Sequence, residues 1–197
     1  MLFSTPFSLA YWRAACGELK SLRMLALAAL FVGIRVVIST FFIPVGENLR
    51  IYFSFFETAL CGLVCGPVIG VMAGFVGDLV GFFVHPFGGF FFGYTVTAMV
   101  SGLIYGLAFY RTRITALKVF LCKLSINLLV NVGLGALWSA MLYGKGYYYY
   151  LAKSLVKNLL LLPIETVLLV LFFQLMLPVL ARAHLGAPQP TKRIPLF

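Results

Sequence analysis

Long apolar runs, separated by short polar or Gly/Pro clusters, set the pattern of this chain. The first run covers 24–42 and stops at Ile43-Pro44-Val45-Gly46, before the polar Glu47-Asn48-Leu49-Arg50. A second covers 51–65 and ends at Gly66-Pro67; a third covers 68–84 and ends at His85-Pro86. A Gly/Phe-rich loop over 87–93 leads into a fourth run that reaches Tyr110. Beyond Arg111-Thr112-Arg113 a fifth run covers 116–142. Gly144-Lys145-Gly146 and the four tyrosines 147–150 read as a loop with the aromatic character of a membrane boundary. The sixth run, 152–180, holds Pro163, where a kink is expected. A helix needs roughly 20 apolar residues to cross a hydrocarbon core. The predicted fold class is therefore an all-α integral membrane protein, a six-transmembrane-helix bundle in one domain over 23–182. Residues 1–22 carry Arg13 and Lys20 and are predicted to form an interfacial N-terminal arm, not a cleaved signal peptide. The Pro-rich, basic segment 183–197 is predicted to be a flexible tail.

Composition supports a lipid setting. Hydrophobic residues make up 62% of the 197 and charged residues 10%, whereas a soluble domain keeps about a quarter of its residues charged. The net charge of +10 does not mark a nucleic-acid surface, because the basic residues gather at the ends of apolar runs. They fit cytoplasmic loops drawn to anionic lipid. With the N-terminus inside, the inner segments hold Arg13, Lys20, Arg23, Arg111, Arg113, Lys118, Lys123, Arg182, Lys192 and Arg193. The outer loops hold Arg50, Lys145 and Lys153. The positive-inside rule then places a multi-pass protein in the cell membrane with both termini cytoplasmic. Cys16, Cys61, Cys65 and Cys122 form no CxxC pair and read as small side chains, not as a metal site or disulfide. Gly62, Gly66, Gly70 and Gly74 recur at four-residue spacing, as do Gly77 with Gly81 and Gly102 with Gly106. Such spacing lets helix backbones approach closely in lipid.

Charges inside apolar runs are costly, so each is a functional candidate or half of an ion pair. Arg35, Glu57, Asp78, Lys157 and Glu165 form this set. Lys153, Lys157 and Glu165 share one face of the last helix, and Asn127, Asn131 and Trp138 share one face of the fifth. The two asparagines serve either a ligand or interhelical hydrogen bonding. Arg50, Lys145, Lys153 and Lys157 gather at the outer side. A cationic, outward-facing cavity bordered by Trp138 and Tyr or Phe side chains suits a ligand with a flat ring and a carboxylate end. No HExxH, GxSxG or phosphate-cradling glycine loop is present, and the only histidines are His85 and His184. An enzyme is therefore disfavoured, no cofactor or metal is expected, and transport energy would come from a partner or an ion gradient.

Five segments, taken together and in order, carry a family resemblance: Ile43-Pro-Val-Gly-Glu-Asn-Leu-Arg-Ile51, Gly88-Gly-Phe-Phe-Phe-Gly-Tyr-Thr95, Leu103-Ile-Tyr-Gly106, Leu137-Trp138 with Tyr143-Gly-Lys145, and Lys157-Asn-Leu-Leu-Leu-Leu-Pro-Ile-Glu165. Over 22–180 the chain resembles the folate-family substrate-binding (S) component of energy-coupling factor (ECF) transporters. The resemblance implies a six-helix fold with a vitamin pocket at the outer side, closed by loops between helices 1–2, 3–4 and 5–6. It also implies three partners, a transmembrane coupling subunit and two cytoplasmic ATPases. A small-xxx-small motif on helix 1 would dock the coupling subunit, and the matching positions are Ala29 and Gly33. For folate, Arg50 and Lys157 would take the glutamate carboxylates. Asn48, Asn131, Asn158 and Asp78 are the candidates for the pterin edge. Phe90, Phe92, Tyr94, Trp138 and Tyr143 are the candidates for stacking. Riboflavin or pantothenate is the alternative ligand on the same fold; the cationic pocket disfavours thiamine. A structural subunit without a ligand would leave the charges within the spans unexplained.

Overall fold

The structure, a computed structural model, describes residues 8–40, 42–46, 49–84, 89–144, 146–186 and 194–196, with backbone alone over 42–52. Its elements are α1 (Leu9–Glu18), α2 (Leu22–Ser39), β1 (Phe42–Gly46), β2 (Leu49–Tyr52), α3 (Ser54–Val84), α4 (Phe92–Phe109), α5 (Ala116–Ser125), a π-helical stretch (Ile126–Leu134), α6 (Gly135–Tyr143) and α7 (Tyr147–Arg182). Among the described residues, five helices or continuous helical rods are long and apolar enough to cross a membrane. Large apolar side chains such as Val37, Leu129, Leu160 and Leu175 stay exposed around the bundle. That outward-facing surface is what lipid covers.

The all-α expectation holds for the bundle, with one correction. Between α2 and α3 the chain forms a short antiparallel hairpin, β1–β2, pairing Phe42 with Tyr52 and Pro44 with Arg50. The second and third apolar runs are joined in one continuous helical stretch, α3, broken at Gly66, whose φ of 85° and ψ of 179° only glycine adopts readily. Arg35 shows how sharply the chain turns there. Its side chain lies against the Cα of Gly77 and within electrostatic reach of Glu57. A straight helix would hold Glu57 and Gly77 about 30 Å apart, twenty residues at 1.5 Å each. The contacts with α4 repeat the point, since Gly62 meets Gly106, Gly66 meets Tyr110 and Gly70 meets Gly102. The partner positions advance along α4 and then return. Thus α3 doubles back as two arms, 54–65 and 67–84, and the bundle has six apolar rods.

The glycine spacing is spent on this seam. A Cβ on Gly70 would sit 2.8 Å from the Gly102 carbonyl oxygen, and one on Gly74 2.6 Å from that of Ala98. Gly81 is different and faces open space.

The tyrosines 147–150 also differ from expectation. Gly144, at φ 69°, ends α6 in the left-handed conformation, and Gly146 precedes α7 directly. The connection is thereby compressed to 144–146, and all four tyrosines enter the first turn of α7. Helix α7 then continues through Pro163 and Pro178 to Arg182.

At the end of the bundle bearing the Gly66 turn, α1 packs on the end of α4. Tyr11 is fully buried and donates to the Gly106 carbonyl at 2.9 Å. Glu18 accepts from the Tyr110 hydroxyl and from Arg111, both at 2.8 Å. Of the C-terminal segment, 187–193 and Phe197 lie outside the described residues. Within 194–196, the Pro195 and Leu196 carbonyls accept from the Ala116 and Leu117 amides. These are two of the unpaired donors that open every helix.

Candidate ligand-binding site

A cavity of about 640 Å³ lies between α2, both arms of α3, α4, the α5–α6 rod and α7. That volume is typical of a small-molecule site. It occupies the half of the bundle nearest the β-hairpin and the first turns of α4 and α7. Helical spacing explains its walls. Tyr94, Thr97, Ser101 and Tyr105 form one stripe of α4, and Ser154, Lys157, Asn158, Leu161 and Glu165 one stripe of α7. From Ser154 to Glu165 the α7 stripe descends about 16 Å. Glu165, Tyr105 and Lys123 therefore form the floor, while Tyr94, Ser154 and Lys157 lie towards the mouth.

The floor is an ordered polar network. The Lys123 ammonium is 3.1 Å from Glu165 Oε2 and 4.1 Å from the centre of the Phe55 ring. Asn127 Nδ2 donates to the same Oε2 at 3.3 Å and to the Asn158 carbonyl at 3.2 Å. Asn131 in turn donates to Asn127 Oδ1 at 2.9 Å. Each donor comes from the rod that changes from α to π helix at Ile126. Such distortions of the helical ladder recur at functional sites. Breaking a buried ion pair by removing one partner costs about 3–5 kcal/mol, because it strands the other charge. On the opposite wall, Asp78 Oδ2 accepts from Thr95 Oγ1 at 2.7 Å, tying α3 to α4.

Of the residues singled out in the sequence, the structure brings Asp78, Tyr94, Asn131, Lys157 and Asn158 together around the cavity. Trp138 borders it indirectly, donating to Thr97 Oγ1 at 3.0 Å with its ring against Phe91. Phe90 packs edge-on against Phe82, and Phe92 and Tyr143 are exposed. None of these three lines the cavity. Asn48 and the Arg50 side chain lie outside what the structure describes. Ala29 and Gly33 face outward on α2, and Gly33 has open space where a side chain would go. Among the described residues no group of acids, histidines and cysteines could hold a metal ion.

Lys123 requires correction. Sequence reasoning grouped it with the cytoplasmic cations because Lys118 and Arg113 precede it closely. It is instead 2% exposed, inside α5, on the cavity floor. The usable signal was its spacing, since 123, 127 and 131 recur at intervals of four on one face. Nine inner cations against three outer remain, so the charge bias survives. Ser54, Thr58, Thr97, Ser101 and Tyr105 line the cavity too, but uncharged residues in an apolar run carry little signal.

A family model for the ECF transporter, substrate-specific component, matches residues 23–180. The chain belongs to this family. As an S component it is a multi-pass membrane protein that binds for transport and is not an enzyme. Among solved structures it is similar to one described as the crystal structure of FolT bound with folic acid. The two are 30% identical, with a TM-score of 0.68 over 76% of this chain and 91% of that one. No curated protein matches. Residues 1–22 precede the matched region, and residues 181–197 follow it.

Proposed function

We propose that this S component captures folate from outside the cell and delivers it inward with a transmembrane coupling subunit and two cytoplasmic ATPases. The supporting observation is a ligand-sized cavity in a chain 30% identical to FolT bound with folic acid and spanning 91% of it. In this reading the six rods each cross the bilayer, both termini are cytoplasmic, and the cavity opens outward. The glutamate end of folate lies at the mouth near Lys157 and Arg50, and the pterin points towards the floor. Asp78, Asn131 and Asn158 meet its polar edge, and Tyr94 flanks the ring. Asn48, Phe90, Phe92, Trp138 and Tyr143 belong to the mouth and its closing loops. Residues 1–22 lie at the cytoplasmic interface, and Ala29 with Gly33 receive the coupling subunit.

Calorimetry on the isolated subunit tests the ligand. Folate should bind without ATP or partners, while thiamine should not; binding of riboflavin in place of folate would overturn the ligand assignment. Arg50→Ala or Lys157→Ala should cost about 1.5–3 kcal/mol in folate affinity, the range for hydrogen bonds to charged groups. Pteroate, which lacks the glutamate, should bind both variants about as well as it binds the wild type. Equal losses for the two ligands would mean that these side chains only support the bundle.

A further inference from the structure

The Glu165 carboxylate is used on one side only. Oε2 takes both the Lys123 ammonium at 3.1 Å and the Asn127 amide at 3.3 Å. Among the described residues nothing bonds Oε1. Nor is Oε1 sealed within protein like the two buried side-chain oxygens that lack partners. The side chain is 11% exposed, and the residue lines the cavity. A second unused group lies in the same floor. The Tyr105 hydroxyl is buried without a partner and within electrostatic reach of Glu165. Tyr105 is held firmly, its backbone against Gly62 and its ring stacked on Phe109.

Buried polar groups left unbonded are costly and need an explanation. For a carboxylate oxygen open to a cavity, the matching chemistry is an N–H donor. We propose that Glu165 is a specificity-determining ligand contact, its Oε1 accepting from an amine or ring N–H on the flat end of the ligand. Lys123 and Asn127 are positioning residues, which fix the carboxylate through its other oxygen. The class of ligand is then a ring with a polar, donor-bearing edge, seated ring-down. The proposal rests on the folate reading, in which that donor is the pterin amino group. Lys123 also explains why a carboxylate is tolerated here, since an unpaired charge at this depth would be strongly disfavoured.

The test compares folate with the analogue that carries hydrogen in place of the pterin amino group. Wild-type protein should prefer folate by about 10- to 100-fold, as for a hydrogen bond to a charged acceptor. The double variant Lys123→Met/Glu165→Met removes the pair without stranding either charge, and should bind both compounds at the level of the analogue. Glu165→Gln leaves its single carbonyl oxygen to Lys123 and Asn127 and turns an N–H towards the ligand, so it should lose the preference as well, which carries the test should the double variant not fold. A wild-type preference preserved in either variant would overturn the proposal, as would the absence of any preference in the wild type. Folded wild-type protein that binds neither compound would instead mean that the folate reading has failed, and this assignment with it.

Discussion

Ala29→Trp and Gly33→Trp are each expected to abolish folate uptake by cells carrying the energy module, while folate binding by the isolated subunit stays unchanged. The two residues are four apart on α2, on the face turned away from the bundle. Met24 and Phe31 supply the buried face of the same helix. In lipid, helices associate through close packing and not through exclusion of water, so a strip of small side chains is where a partner helix comes nearest. An indole there holds the partner off. Both positions leave room for a side chain to point away from the bundle, since Ala29 is exposed and nothing lies within 4 Å of a Cβ at Gly33. The cavity is reached from α2 by Arg35, not by these residues. Uptake and binding are to be measured on the same variants. Uptake that survives would remove α2 as the docking face, and loss of binding would show that the bundle had been damaged.

Gly102→Val should leave little folded protein, whereas Gly81→Val should be nearly neutral. At Gly102 an added Cβ runs into the Gly70 carbonyl oxygen and carbon, which are backbone atoms that no rotamer change moves aside. The two arms of α3 are held on α4 by successive contacts at Gly62, Gly70 and Gly74, so the helices cannot separate at one point alone. Overpacking costs about 1–3 kcal/mol where side chains can adjust, and more where they cannot. Gly81 lies on α3, the helix facing Gly102, but with nothing within 4 Å. Yield of monodisperse protein and thermal melting in detergent would separate the two. Comparable stability of both variants would contradict the seam.

How much of this was legible varied with the kind of signal. The six rods could be read because apolar length is what lipid demands, and the glycine seam because four-residue spacing has one main use in a membrane. The hairpin 42–52 could not, since Pro44 and Gly46 register as breakers and not as pairing residues. The α3 reversal was read as two separate spans; the structure folds them back through a single glycine. In the site, Asp78, Asn131, Lys157 and Asn158 stood out because polar groups in apolar runs need a reason. Lys123 was misplaced by its basic neighbours in sequence, although it turns onto the same face as Asn127. Phe90, Phe92 and Tyr143 were chosen for their type, and aromatic residues at the end of a span serve a membrane boundary as readily as a ligand.

The central claim is that the cavity is a folate site, and native mass spectrometry of the subunit purified from its membrane tests it most directly. The account predicts a one-to-one complex heavier than the bare chain by the mass of a folate, less populated in Arg50→Ala and Lys157→Ala variants. A complex carrying the mass of riboflavin or another vitamin, with folate unable to displace it, would contradict it.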